Sequence, residues 1–151
     1  MSTYESLRKK FKELPSFNLI NKEFEIGVLE KRRPVLKQIV KKILEKIQLA
    51  IDFLESIVLP DSTSVIEIYE SEYFNQKEKE DIFKLLQQLI ILQKELQIAE
   101  LALDESIEAK AIAKVSKAYP EIRKAILNYL EKAKACWEKG VEIKEIQKYF
   151  A

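Results

Sequence analysis

Carboxylates are the side chains of this sequence that could bind a metal ion or move a proton near neutral pH. The chain of 151 residues contains 25 Asp and Glu, one cysteine and no histidine. Histidine is the commonest general base and metal ligand in that pH range. Its absence excludes Ser-His-Asp and Cys-His catalytic pairs, di-iron bundles and His-containing zinc sites, as well as histidine-ligated haem. A catalytic site would have to use carboxylates, which suit Mg²⁺.

Two acidic segments have a spacing that suits such a site. Asp104-Glu105-x-x-Glu108 resembles the acidic helix motif of all-α nucleotide pyrophosphatases, and Glu78-x-x-Asp81 resembles the second half of that motif. The resemblance implies a Mg²⁺-dependent pyrophosphatase as one hypothesis. The two halves stand in reversed order along this chain, and a third matching element is lacking.

The same acidic residues have a structural interpretation, which we adopt. Asn75 followed by Glu78 has the pattern of a capping box, in which each side chain bonds the backbone of the other. Residues 104 to 106 offer a helix cap, and Glu105 and Glu108 favour a helix N-terminus because they counter its dipole. The sequence therefore predicts helix ends at both places, and no metal or cofactor.

Cys136 and the two glycines add no further chemistry. Cys136 stands beside Trp137 on an apolar stripe, which is typical of a core residue rather than a nucleophile. Gly27 and Gly140 are isolated, whereas loops that bind phosphate need several glycines together. Phosphate-binding loops of the P-loop and Rossmann types are thereby excluded.

Basic residues are concentrated near the N-terminus and predict a contact with nucleic acid as an alternative function. The candidate residues are Arg8, Lys9, Lys10, Lys31, Arg32, Arg33, Lys37 and Lys41. Residues 1–60 carry a net charge of +4, residues 61–108 carry −8 and residues 109–151 carry +5. Helices of opposite sign attract each other, so we expect most of this charge to be balanced within the molecule.

Aromatic and apolar side chains provide the candidates for a protein interface. Tyr69, Tyr73 and Phe74 cluster before a long periodic segment, and they either form an interaction site or close the end of a bundle, which we favour. Within the long segment, apolar residues from Ile82 to Leu103 alternate steps of three and four. Such a series faces another helix of the same chain or a second chain, and its candidate residues are Leu85, Leu89, Leu92 and Leu96.

Helical periodicity and the positions of proline and glycine predict the elements that carry these residues. The predicted fold is an all-α, single-domain bundle of five or six helices in residues 1–151. A short helix at 3–14 is followed by main helices at about 34–59, 76–103, 106–119 and 121–139, and by a short helix at 141–150. Residues 64–73 alternate apolar and polar side chains, and strand, helical turn and extended linker all remain open there.

The overall interpretation is a non-catalytic, helical protein-protein interaction module or small subunit of an assembly, with a homodimer as one form of that assembly. Neither a signal peptide nor a membrane span is indicated, and one cysteine suits a reducing compartment, so we expect a cytoplasmic protein. Abundant Lys and Glu with few Gly and Met favour a heat-adapted source. The sequence names no partner, and it leaves the packing order of the helices open.

Overall fold

The computed structural model describes residues 3–140 and 142–148, and all regular secondary structure within these ranges is helical. The described residues form seven helices, listed in chain order: α1 (Tyr4–Lys10), α2 (Phe17–Phe24), α3 (Val35–Val58), α4 (Val65–Glu72), α5 (Gln76–Ala102), α6 (Glu105–Glu138) and α7 (Ile143–Gln147). The predicted all-α bundle with a long central helix is confirmed.

Contacts between residues group the chain into two compact units. Unit 1 comprises Met1–Leu49 and Leu89–Glu121, and unit 2 comprises Ala50–Gln88 and Ile122–Ala151. The helices α3, α5 and α6 each supply residues to both units. Sequence patterns did not predict this grouping, because the apolar stripes of all three helices continue across the division.

Unit 1 has a core of aliphatic and aromatic side chains. Fully buried members include Ile20, Phe24, Leu36, Ile39, Ile43, Leu89, Leu96 and Ile112. The Phe24 ring packs against Tyr119, with ring centroids 5.0 Å apart. The Tyr4 hydroxyl donates a hydrogen bond of 2.6 Å to the Pro15 carbonyl, and burial raises the pKa of Tyr4 to about 12. These contacts hold the two short N-terminal helices in unit 1.

Unit 2 has its own core, formed by one side of α3 together with α5 and α6. Its buried residues include Leu54, Ile57, Phe74, Ile82, Ile126, Ala133 and Cys136. The buried Ser71 hydroxyl donates to the Ile57 carbonyl at 2.6 Å, which fixes the end of α4 against α3. A buried polar group satisfied in this way avoids the cost of losing its hydrogen bond to water.

Two predictions about the N-terminal region were wrong. The first helix ends at Lys10 instead of residue 14, because Phe11 has an extended backbone, although Leu14 is still buried. Residues 17–24 were not predicted as a helix, yet Ser16 caps α2 by accepting a hydrogen bond from the Leu19 amide at 3.3 Å. Ser16 together with the spacing of Ile20 and Phe24 was a usable signal.

The helices predicted at 106–119 and 121–139 are a single helix, α6, with Pro120 inside it. Proline lacks an N–H and costs roughly 3 kcal/mol in a helix interior. Tyr119 and Ile122 are buried on either side of it, so packing on both sides offsets the proline and keeps the helix continuous. Tertiary contacts outweighed a local signal that favours a break.

The structure also shows helices in two further segments, one before α5 and one at the C-terminus. Residues 65–72 form α4, which Ser64 caps by accepting a hydrogen bond from the Glu67 amide, so the strand alternative is wrong. At the C-terminus, α7 covers Ile143–Gln147 instead of 141–150. Residues 141, 149 and 150 of that prediction lie outside the described residues.

Candidate interaction surface

The helix α5 is apolar on two opposite sides within unit 1. Leu89, Leu92, Leu96 and Ala99 lie on one side and are buried. Ile90, Ile91, Ile98 and Leu101 lie on the other side and are exposed. An α-helix advances 100° per residue, so the second group shares one stripe along three turns. The core needs only the first stripe, which leaves the second without a covering element in the described structure.

The start of α6 lies beside this exposed stripe. Ile98 on α5 and Ile107 on α6 line one shallow cavity of about 210 Å³, together with Ala111. The exposed fractions are 61% for Ile98 and 81% for Leu101, whereas Ile107 is just exposed. We call Ile90, Ile91, Ile98, Leu101 and Ile107 the α5–α6 surface.

A tight connection positions α6 next to α5. Leu103 has φ 56°, a left-handed conformation that non-glycine residues adopt rarely. Asp104 then caps α6 by accepting hydrogen bonds from the Ser106 amide at 2.8 Å and the Ser106 hydroxyl at 2.7 Å. These bonds lower the pKa of the Asp104 carboxyl. The helix cap expected at residues 104–106 is therefore present.

Charged side chains of both signs lie around the α5–α6 surface, and Lys94 lies within its exposed stripe on α5. Lys114 on α6 donates to Glu95 on α5 at 2.6 Å, which links the two helices at the cavity rim. Lys110 also lines the cavity. On the outer side of α5, Lys94 donates to the Gln97 side chain at 3.1 Å. Glu95 is the one carboxylate in the cavity lining, and Lys114 already neutralises it.

Three of the four predicted interaction residues on α5 belong to the core. Leu89, Leu92 and Leu96 are buried in unit 1, and Leu85 is half-buried in unit 2. The regular three-and-four spacing therefore marks the side of α5 that packs within this chain. The residues that remain accessible fall between those positions, where the sequence reads Ile90-Ile91 and Ile98. Apolar residues outside the main stripe were the signal that could have identified them.

The aromatic candidates make contacts within unit 2. Tyr69 packs against Trp137 with ring centroids 4.7 Å apart, and the Trp137 indole donates to Glu70 at 2.8 Å. Phe74 is buried, and the Lys139 ammonium lies 4.7 Å from the centre of the Tyr73 ring. These aromatic side chains therefore make contacts within unit 2.

The first basic group is partly engaged within unit 1. Arg8 lies 3.5 Å from Glu5 and donates to the Leu14 carbonyl, while Lys10 lies 3.8 Å from Glu105. Lys9 is exposed. These residues form the last turn of α1, where positive charge complements the helix dipole.

Part of the second basic group lies around one cavity at the start of α3. Arg33, Lys37 and Lys41 line a shallow cavity of about 280 Å³ at the start of α3, and Glu100 lies among them. Lys31 and Arg32 are exposed in the preceding loop, and Arg33 pairs with Glu30 at 3.0 Å. The residues Arg8, Lys9 and Lys10 do not line this cavity.

The acidic motifs serve as helix caps. The Asn75 side chain accepts from the Glu78 amide at 2.8 Å, and Glu78 accepts from the Asn75 amide at 3.0 Å, so the predicted capping box is confirmed. Lys132 also donates to Glu78, and together these bonds lower the pKa of that carboxyl. In the described ranges no three Asp, Glu or Cys residues come together in a group that could hold a metal ion.

Cys136 and Glu108 are buried, and both have raised pKa values. Burial raises the pKa of the Cys136 thiol, which opposes formation of the reactive thiolate. Burial also raises the pKa of Glu108, whose Oε2 atom has no hydrogen-bond partner. Cys136 is therefore a core residue, as its place on the apolar stripe predicted.

The chain matches no model of a known protein family, no curated protein and no solved structure. Among the residues described, no helix is both long and apolar enough to cross a membrane.

Proposed function

We propose that this chain is a non-catalytic interaction module, an adaptor or small subunit that binds a protein partner through the α5–α6 surface. The observation that carries the proposal is the exposure of five large aliphatic side chains on neighbouring helix faces. Single exposed apolar residues are normal on protein surfaces. A continuous group of them along a helix is typical of an interaction site.

The size of the surface supports a protein partner. The exposed parts of its five side chains together equal more than two complete side chains. The largest apolar patch on a typical monomer covers about 300–600 Å² and is often functional. Burying such a patch contributes about 25 cal/mol for each Å² removed from water, which is enough to make it the centre of an interface.

The experiment is affinity capture of the tagged protein from its native cells after nuclease treatment. The tagged chain is compared with Ile98→Glu, which places a charge in the middle of the α5–α6 surface. The matched control is Leu49→Glu on α3, because Leu49 is 69% exposed, close to the value for Ile98. We expect one or more proteins to be retained by the original chain and by Leu49→Glu, and lost with Ile98→Glu. Equal retention by all three would refute the proposal.

A second candidate function is binding of nucleic acid at the start of α3. The observation that favours it is the gathering of Arg33, Lys37 and Lys41 around one cavity. Binding through phosphate contacts weakens steeply as salt rises, because condensed counterions are released. The test is the salt dependence of binding to single-stranded and double-stranded oligonucleotides, with charge reversal at Arg32 and Arg33. Binding that survives the reversal, or that is insensitive to salt, excludes this site.

A further inference from the structure

We infer that the basic residues at the start of α3 are a preformed contact for the phosphate backbone of a double-stranded nucleic acid, which they bind independently of its sequence. This inference rests on the second candidate function, because it names the kind of nucleic acid that the same residues would bind. It does not involve the α5–α6 surface. The observations that carry it are the hydrogen bonds of Gln38, the balance of charge around the cavity and the types of side chain that line the cavity.

Gln38 holds the loop that carries Lys31, Arg32 and Arg33. The Gln38 side-chain oxygen accepts a hydrogen bond from the Glu30 amide at 2.7 Å. The Gln38 side-chain nitrogen donates to the carbonyls of Glu30 at 2.9 Å and of Arg33 at 3.1 Å. Glu30 and Arg33 stand on either side of Lys31 and Arg32, so one side chain of α3 fixes both ends of the basic segment. A ligand therefore does not have to order this loop when it binds, which reduces the cost of binding.

Lys37 and Lys41 continue the positive charge along α3. Arg33, Lys37 and Lys41 follow each other at intervals of four residues and line the same cavity of about 280 Å³. Four residues of an α-helix advance about 6 Å, so Lys37 and Lys41 lie one turn apart on the same face. A line of cations suits a linear polyanion, and the phosphates of a nucleic acid strand form one.

Some of the basic residues at this site already face a carboxylate of the same chain. Arg33 pairs with Glu30 at 3.0 Å, and Lys37 interacts with the buried Glu108. The two carboxylates nearest Glu108 interact with lysines of their own, in the pairs Glu105–Lys10 and Asp104–Lys110. These carboxylates therefore do not neutralise the remaining basic residues of the site.

The remaining charge at the start of α3 is positive. Four exposed basic residues form no ion pair with any described residue, and they are Lys31, Arg32, Lys41 and Lys42. Two carboxylates without an ion pair lie near them, Glu100 in the cavity lining and Glu45 one turn beyond Lys41. Four cations against two carboxylates leave a positive site on a chain whose net charge is only +1. Such a site attracts an anionic ligand.

The side chains around the cavity favour a duplex over a single strand. None of the described residues that line the cavity is aromatic. Proteins that bind single strands combine a basic groove with aromatic side chains on which the bases stack. A duplex carries phosphates on two strands and thus has the higher density of charge. Contacts to phosphates carry no sequence information, so we expect different duplexes to bind equally.

The choice of ligand is tested by fluorescence anisotropy with the full chain. The labelled ligands are two DNA duplexes of unrelated sequence, an RNA duplex, one of the DNA single strands and a polyglutamate peptide of similar length. We expect the two DNA duplexes to have Kd values within about twofold of each other, and the single strand and the peptide to bind at least about fivefold more weakly than a duplex. Whichever of the DNA and RNA duplexes binds more tightly identifies the natural form of the ligand. Tighter binding of the single strand, binding of the peptide as tight as that of a duplex, or a strong preference between the two DNA sequences would overturn the inference.

The salt dependence of duplex binding tests the contribution of Lys41. The slope of log affinity against log salt is about −0.9 for each phosphate contact. Lys41→Gln should therefore make the slope less steep by about 0.9. Lys84→Gln is the matched control, because Lys84 is an exposed lysine without an ion pair in unit 2, and it should leave the slope unchanged. The same slope in Lys41→Gln and in the original chain would overturn the inference.

Gln38→Met tests whether the contact is preformed. It removes the hydrogen bonds to the loop but no charge, so we expect duplex binding to weaken about fivefold while the salt slope stays the same. Gln88→Met is the control, because Gln88 is exposed in unit 2, and it should bind like the original chain. Circular dichroism verifies that both variants are folded. Duplex binding that Gln38→Met leaves unaltered would contradict a preformed contact.

The outcomes also distinguish this inference from the second candidate function. Salt-dependent binding that is stronger for the single strand than for the duplexes supports the candidate function and overturns the inference. If none of the nucleic acids binds in a salt-dependent manner, both are overturned.

Discussion

The two sides of α5 in unit 1 have nearly the same composition and opposite surroundings. Leu96 is 1% exposed on one side, and Ile98, two residues later, is 61% exposed on the other. The hydrophobic effect requires only one of these sides to be covered for the chain to fold. The apolar content of a helix therefore does not separate residues that pack in the core from residues that remain accessible to a partner, whereas the exposure of each side does.

The largest effect we expect is on stability at the buried side. Leu96→Ala should lower the free energy of unfolding by about 2–5 kcal/mol, because it removes buried methyl groups and leaves a cavity. The matched change on the exposed side, Ile98→Ala, should alter it by no more than about 0.5 kcal/mol. Urea unfolding followed by circular dichroism measures both. Equal losses would show that the two sides do not differ.

Glu108 on α6 tests how well the interior of unit 1 excludes water. Burial raises the pKa of this carboxyl, and the neighbouring charges of Glu105 and Asp104 add to the effect, while Lys37 opposes it. A pKa that is raised in the folded state means that the folded protein binds the proton more tightly. Stability is therefore lost as pH rises from the unfolded value, about 4.5, through the folded pKa.

The variant Glu108→Gln removes this charge. We expect its free energy of unfolding at pH 7 to exceed that of the original chain by on the order of 1 kcal/mol. The advantage should shrink as pH falls to 4, where the original carboxyl is protonated in both states. Urea unfolding at the two pH values measures the difference. An advantage of the same size at both values would mean that burial of the charge is not its cause.

Asn75→Ala tests how much the capping box at the start of α5 contributes to the stability of the protein. Asn75→Ala removes the acceptor for the Glu78 amide and should cost about 1 kcal/mol. Asn128→Ala is the matched control, because Asn128 is exposed within α6, where alanine favours the helix. Thermal unfolding of both variants gives the comparison. A control that loses as much stability as Asn75→Ala would show that no capping effect is present.

The smallest effect concerns the ion pair at the border between the two sides. Lys114→Gln breaks the pair with Glu95, and both side chains are partly exposed. Pairs of this kind contribute about 0.2–1 kcal/mol. The loss should decrease as salt is added, because mobile ions screen exposed charges. A large loss that is independent of salt would indicate that Lys114 stabilises the protein by packing instead.

Helix boundaries were predicted correctly where the local capping residues and the packing of the helix favour the same structure. Asn75 and Glu78 predicted a helix start correctly, since both the cap and the apolar series beyond it favour the same element. Pro120 misled the prediction because local chemistry favours a break while buried neighbours hold the helix together. Periodicity also could not tell which apolar positions of α5 meet another helix, because exposure depends on how α3 and α6 pack in unit 1. The candidate surface was therefore placed on Leu89, Leu92 and Leu96, one helix face away from the exposed residues.

Ile98→Glu shows whether the exposed side of α5 serves binding and not folding. The measurement pairs two quantities on one purified variant, its free energy of unfolding and its retention of the nuclease-resistant partner. We predict that the free energy of unfolding stays within about 0.5 kcal/mol of the original value while the partner is lost. A variant that is strongly destabilised, or that is fully stable and still retains the partner, would contradict the account.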